Sequence, residues 1–415
     1  MTYDFQPVLP RGNGPWAHID TRAITHNLEW VKRRVQSHAG VHSRVPRIWA
    51  VVKADAYGHG ISHALSALWG ADGLCVTTFN DVVLLRQCGW GKPILLLSLW
   101  GISETDLLDP SLGQLHVVAD DTPQVEMIER WAQIAQHNRS KRSSLHVWVR
   151  AEGKLKTLGF QEEEYRSAFL RLRALADAGL LAEVGHLNHY AASEDAHALN
   201  LERQAFLQTT HGLSGPYCTG NSGALCGEGP GLLKETSEWL RCGLLLYGAS
   251  ALAPITGPEL GLVPAMSLQA RLLSVRQVRA GVTVGYGESY RAERDTFIGT
   301  VGIGYGHGVP RRLWQRGTVL AGHDGREVPL AGRVAMDCLT VDLGPDPIER
   351  VGDIMTIWGR APNGTLLPVE KTAAACDTIA AALWTGLTSR VPLIAATSAQ
   401  SPERARRQGR HNQTK

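Results

Sequence analysis

Short runs of apolar and β-branched residues recur along the first part of the chain, at 47–53, 73–77, 93–98, 115–119, 145–149, 182–188, 216–220 and 243–247. Their apolar residues fall at successive positions, the pattern of a strand covered on both faces. Between these runs, 62–68, 80–87, 122–135, 162–178 and 196–208 place apolar residues three and four apart, as amphipathic helices do. Eight strands alternating with helices over about 240 residues predict a closed (β/α)8 barrel of the TIM type. On that layout Lys53, His189 and Ser222 fall at or just beyond strand C-termini, the end at which barrel enzymes keep their chemistry.

The pattern changes after Tyr247. Pro254, Gly257 and Pro258 read as a linker, and short alternating runs broken by Gly and Asp follow at 266–277, 297–301, 317–320, 339–341 and 354–358. Helices are expected at 369–376 and 378–386, with a last strand at 390–394. The fold class is therefore α/β, with an N-terminal TIM barrel over 14–252, a mainly β domain over 253–400 and a basic flexible tail at 401–415. A length of 415 residues, more than one core usually spans, agrees with two domains.

Composition narrows the classes. A hydrophobic fraction of 44% is that of an ordinary globular protein. The net charge of +3 owes much to the tail, and no long basic face lies outside it, so nucleic acid is not an expected partner. The seven cysteines, at 75, 88, 218, 226, 242, 338 and 376, show no metal-binding spacing and are odd in number. They read as reduced core residues of a cytoplasmic protein without a metal centre. Residues 1–15 lack a charged-then-apolar leader, and no segment gives eighteen uninterrupted apolar residues, so neither export nor a membrane partner is expected.

The chemistry concentrates at Ala50-Val51-Val52-Lys53-Ala54-Asp55-Ala56-Tyr57-Gly58-His59-Gly60, where a buried strand delivers a lysine into a tight loop of small residues. A partly buried lysine there can form a Schiff base, although most lysines at strand ends are solvated and inert. The segment resembles the pyridoxal-phosphate lysine motif of the alanine racemase family. The resemblance recurs in order at 188–191, 220–222, 241–248, 284–287, 302–306, 332–337 and 389–392, which covers nearly the whole chain. The Gly-rich runs at 285–287 and 302–308 open no helix within a βαβ unit and read as β-domain turns rather than dinucleotide loops.

What the resemblance implies is a pyridoxal-phosphate amino-acid racemase, most simply one interconverting L- and D-alanine, that works as a homodimer with shared active sites. Lys53 matches the Schiff-base lysine and the base for the D-face; Tyr286 matches the tyrosine that serves the L-face from the other subunit. Read without the family, Tyr286 is a turn aromatic in a Gly-rich hairpin. His189 matches a histidine that stacks on the cofactor ring and links the tyrosine to an arginine, and Arg241 matches that arginine, which faces the pyridine nitrogen. The resemblance assigns phosphate binding to Tyr57, Ser222 and the backbone of Gly243 and Leu244. It places Tyr305, Met336 and Asp337 around the small amino-acid substrate.

The chain departs from the family pattern at several points. Thr157 stands where the family has the arginine that steers the substrate carboxylate, and Arg150 stands where it has the lysine, often carbamylated, that orients that arginine. The resemblance makes Thr157 a substrate-binding position, where a hydroxyl cannot replace a bidentate, charged donor. Cys218 and His307 also replace a histidine and an aspartate. Together these changes point to a tuned or altered substrate, serine or another small amino acid being the nearest choices. The other readings are a lyase or decarboxylase of the same fold type and a non-catalytic pyridoxal-phosphate carrier. Decarboxylases of this type carry a cysteine where Tyr286 stands, and carriers are usually a lone barrel.

Overall fold

Apolar residues at successive positions have to be covered on both faces, and eight parallel strands achieve this by closing on themselves. The computed structural model describes residues 12, 14–38, 45–137, 145–227, 238–322 and 324–395. Their contacts divide the chain into two units. One holds the described residues of Arg22–Ala265 and Pro368–Leu387; the other holds those of Met1–Thr21, Met266–Leu367 and Thr388–Lys415.

In the first unit Arg47–Val51, Gly73–Val76, Ile94–Leu96, Leu115–Ala119, Leu145–Arg150, Glu183–Leu187, Tyr217–Thr219 and Trp239–Cys242 form a closed parallel barrel. Its interior is filled by Trp49, Trp148 and Trp239 packed with Val51, Cys75, Leu95, Val118, Leu187 and Cys218. Trp49 and Trp239 stack with ring centroids 3.9 Å apart. Indoles of this size need small residues beside them. Gly73 pairs in register with Trp49, and a Cβ there would lie 2.1 Å from the indole; Gly185 pairs with Trp148, where a Cβ would lie 2.6 Å from the ring.

Several sequence boundaries move. The eighth strand, expected at 243–247, is Trp239–Cys242, and Leu244–Tyr247 forms a 3-10 turn ended by Gly248 at φ 88°. An apolar run without periodicity suits a buried short helix as well as a buried strand. Residues 253–265 also stay with the barrel unit: Ala265 N–H donates to Tyr247 O at 3.1 Å, Val263 N–H to Asn27 Oδ1 at 2.8 Å and Gly257 N–H to Glu370 Oε1 at 2.7 Å. The helices Val369–Ala375 and Ala380–Thr385, expected in the β domain, belong to the same unit.

The second unit is mainly β. Its longest strand, Met266–Val278, pairs antiparallel with Trp16–Ile19, Thr296–Val301 and Ile354–Arg360. Trp16–Ile19, assigned to the barrel by sequence, is thus a β-unit strand, and it also pairs in parallel with Leu393–Ala395. Leu339–Gly344 alternates strictly between buried and half-buried positions, as a strand with one covered face must. The Gly-rich turn read at 285–287 joins the hairpin strands Thr283–Val284 and Tyr290–Arg291. No helix among the described residues is long and apolar enough to cross a membrane. The expected flexible tail at 401–415 lies outside the described residues.

Candidate active site

The first barrel strand ends at Val51, and the chain then turns the wrong way. Ala54, Asp55, Ala56 and Tyr57 have φ between 51° and 55°, four successive non-glycine residues in the left-handed region. Each costs about 1–2 kcal/mol, so the turn persists only because its surroundings fix it. Asp55 Oδ1 accepts from Ile61 N–H at 2.7 Å, Tyr247 Oη–H donates to Val51 O at 2.9 Å, and His59 Nδ1–H donates to Tyr57 O at 3.0 Å. The His59 ring stacks on Tyr247 at 4.5 Å and meets Trp384 edge-on at 5.0 Å. Gly58 closes the turn where a Cβ would lie 2.3 Å from Trp384 O. The product of this strain is a half-buried Lys53 at the barrel mouth.

Lys53 lines a cavity of about 1100 Å³ with Tyr57, His189, Ser222, Arg241, Gly243 and Leu244, so every cofactor-binding residue expected from the sequence borders one space. At one end the donors converge. Gly243 N–H donates to Ser222 Oγ at 3.2 Å, and a Cβ on residue 243 would lie 2.6 Å from Tyr57 Oη. Two hydroxyls and a side-chain-free stretch of backbone thus meet at contact distance. Burial, with the neighbouring Cys75 and Cys242, pushes the Tyr57 phenol up to about 12, which keeps it a donor at neutral pH. Asn221 holds Ser222 in place by capping the short helix Ser222–Cys226, its Oδ1 accepting from Ala224 N–H at 3.2 Å. This donor set fits a phosphate monoester. Glu194, which is exposed, also borders the cavity.

Arg241 is buried, and its guanidinium donates to Cys218 O at 2.9 Å, Cys218 Sγ at 3.1 Å, Asn188 O at 2.5 Å and His189 Nδ1 at 3.4 Å. Burial, and then the charges of Arg241, Arg150 and Lys53, push His189 down to about 3, so its ring is neutral. Because Nδ1 accepts from Arg241, the ring proton sits on Nε2. Cys218 engages this arginine through its sulfur as well as its carbonyl.

The β unit gathers the remaining expected residues. Tyr286 lies in the hairpin turn between Gly285, at φ 81°, and Gly287, at φ 66°. This turn leans on the 332–336 segment: Arg333 N–H donates to Ser289 Oγ at 3.1 Å, and a Cβ on Gly287 would lie 3.2 Å from the Arg333 guanidinium. The same segment carries the Tyr305 turn, with Tyr305 N–H donating to Ala335 O at 2.9 Å and Gly306 N–H to Met336 O at 2.8 Å. Gly304 permits that approach, since a Cβ there would lie 2.2 Å from Ala335 O. Asp337 pairs with Arg390 at 2.6 Å. Tyr286, Tyr305 and Met336 are respectively 67%, 41% and 52% exposed, an unusual grouping of large apolar side chains in water.

Thr157 does not join the cavity. It is exposed, between Lys156 at φ 55° and the Gly159 bend, and its neighbour Leu158 lines the wall instead. Arg150, which the sequence marks only as a departure, does line the cavity. The signal that finds it is its place as the last residue of a barrel strand, Leu145–Arg150.

Comparisons with known proteins agree with this layout. The family model described as alanine racemase, N-terminal domain, matches residues 19–251, and that for the alanine racemase C-terminal domain matches 265–395. The chain is 35% identical to an alanine racemase of Vibrio vulnificus (strain CMCP6) over 380 residues, 91% of this chain and 98% of that one. The crystal structure of the biosynthetic alanine racemase from Pseudomonas aeruginosa superposes with a TM-score of 0.78 at 33% identity, covering 93% of this chain and 100% of that one. The alanine racemase from Bartonella henselae, with covalently bound pyridoxal phosphate, shares the fold at a TM-score of 0.76 and 24% identity, covering 93% of this chain and 100% of that one. A lysine-bearing barrel mouth, a hydroxyl cradle and a β unit with an exposed tyrosine coincide with matches along both halves of the chain, and the chain belongs to the alanine racemase family.

Proposed function

We propose that this protein is an amino-acid racemase interconverting L- and D-alanine, with pyridoxal phosphate held in the barrel cavity and each site completed by a second copy of the chain. The observation that carries the reading is the convergence of Lys53, the Tyr57 and Ser222 hydroxyls, His189 and Arg241 on one cavity. Lys53 would hold the aldehyde carbon of the cofactor, and Tyr57, Ser222, Gly243 and Leu244 its phosphate. The chemistry the cofactor supplies when bound is an electron sink for the charge left as the α-hydrogen departs.

Racemisation needs a proton carrier on each face of the α-carbon. Lys53 Nζ is the carrier on one face, taking a proton from D-alanine or returning one to it. The opposite face falls to Tyr286 of the partner subunit. A phenol is a weak base at its ordinary value near 10, so the phenolate needs a donor. His189 offers Nε2–H, because Arg241 occupies its Nδ1. Arg241, a guanidinium that stays charged, would have no proton to give to a pyridine nitrogen held beside it, so a bound cofactor would take up less charge in its ring. The exposed Tyr286, Tyr305 and Met336 give a dimer partner an apolar surface to cover, which supports the homodimer. Seven cysteines without a disulfide support a cytoplasmic setting.

The test is α-hydrogen exchange in deuterium oxide with each enantiomer separately. Both L- and D-alanine should take up deuterium and converge on a racemic mixture, and Lys53→Ala should abolish exchange. Exchange from a single enantiomer with loss of carbon dioxide would mean a decarboxylase, and no exchange would leave a carrier.

A further inference from the structure

An amino acid in this cavity brings a carboxylate with it, and the cations lining the wall are Lys53, Arg150, Arg241 and Lys371. Three of them have other commitments or surroundings. Arg241 spends its donors on Cys218, Asn188 and His189. Lys53 is committed to the cofactor aldehyde and then to proton transfer at the α-carbon on the reading above, on which this inference rests. Lys371 is exposed on the helix Val369–Ala375, where water screens its charge.

Arg150 differs. Its backbone is pinned on both sides: Phe160 N–H donates to its carbonyl at 2.9 Å, and it pairs in register with Leu187. Its side chain is half-buried, its Nε is fully buried without a partner, and its guanidinium makes no hydrogen bond to any described residue. The balancing charge nearby is Asp120, a buried carboxylate with both oxygens unpartnered that forms no ion pair within 4.0 Å among the described residues. Burial pushes the Asp120 carboxyl up, and the Gln124 amide, then the Arg150 charge, draw it back down. Burial likewise pulls Arg150 below its usual range, countered by Asp120. A guanidinium whose Nε is buried with no acceptor is a costly arrangement, and its two terminal nitrogens, which are not buried, stay open to an acceptor in the cavity.

We infer that Arg150 is the residue that holds the substrate carboxylate, through the paired N–H groups of its guanidinium. The planar fork matches a carboxylate, and the phosphate cradle of Tyr57, Ser222 and Gly243 is built of hydroxyls and backbone instead. A charged donor thus returns to the cavity from a strand end, while Thr157 faces solvent.

The experiment uses holoenzyme loaded with pyridoxal phosphate, its uptake confirmed by visible absorbance. Propionate and its neutral isostere propionamide are titrated while cofactor absorbance or fluorescence is followed. Arg150→Gln should weaken propionate about ten- to a hundredfold, as loss of a charge-assisted pair does, and leave propionamide unchanged. Arg150→Lys, a point charge in place of the fork, should fall between, and it serves alone if the glutamine variant does not fold. For alanine, KM should rise far more than kcat falls. An unchanged propionate affinity in the variants overturns the inference, even if their cofactor spectrum moves, because the arginine would then serve the cofactor. An equal loss for propionamide overturns it too. If the wild-type chain takes up no cofactor, the functional reading fails and this inference falls with it.

Discussion

Single residues do their work here largely by what they leave out. Gly73 has no side chain because the Trp49 indole occupies that space, and Gly243 has none because the Tyr57 hydroxyl does. Gly73→Ala forces a methyl into a ring that is fully buried and stacked on Trp239, so the barrel should lose about 1–3 kcal/mol with its cavity chemistry intact. A urea midpoint equal to wild type would show that the barrel interior has slack that this packing denies. Residue identity also sets how much could be read in advance. Lys53, Tyr57, His189, Ser222 and Arg241 were legible because each sits at a strand end or in a short motif. Arg150 was not, because its importance lies in an unmet guanidinium, which depends on what folds around it. Nor was the left-handed turn at 54–57, since Ala, Asp, Ala and Tyr as a group have no preference for positive φ.

Elements carry a pH dependence. His59 braces the Lys53 turn as a neutral ring, and full burial pushes it down to about 4. His186 is likewise held down to about 4 by burial, accepting from Tyr165 Oη–H at 2.7 Å and donating to Leu213 O at 3.2 Å. Both values lie below the ordinary 6.5, so between pH 6.5 and 4 the unfolded chain binds more protons than the folded one. Their contribution is complete above pH 6.5 and is lost as pH falls, by about 2 kcal/mol per histidine at pH 5. Urea midpoints at pH 7 and pH 5 measure this: His59→Gln should lose less on acidification than wild type, and parallel pH dependence in the two would contradict the assignment. The barrel strands were largely visible from their apolar runs, whereas the 3-10 turn at Leu244–Tyr247 was not, since buried strands and buried turns share the same apolar pattern.

At the scale of the molecule, the sequence separated barrel from β unit, while the contacts group a few segments otherwise than chain order suggests. Trp16–Ile19 pairs with strands some 250 and 375 positions away, and the helices at 369–385 pack with the barrel unit; partners so distant leave no local trace. The same division sets the functional problem, because Lys53 belongs to one unit and Tyr286 to the other. The proposal places them together across a dimer, and mixing two inactive variants reads that arrangement. Lys53→Ala and Tyr286→Phe are each expected to lack racemase activity. If every site takes its lysine from one copy and its tyrosine from the other, co-refolded mixtures contain heterodimers with one intact site, and alanine racemisation should return to roughly a quarter of the wild-type level. A mixture as inactive as its components would mean that both residues of a site come from the same chain, and the shared site would have to be abandoned.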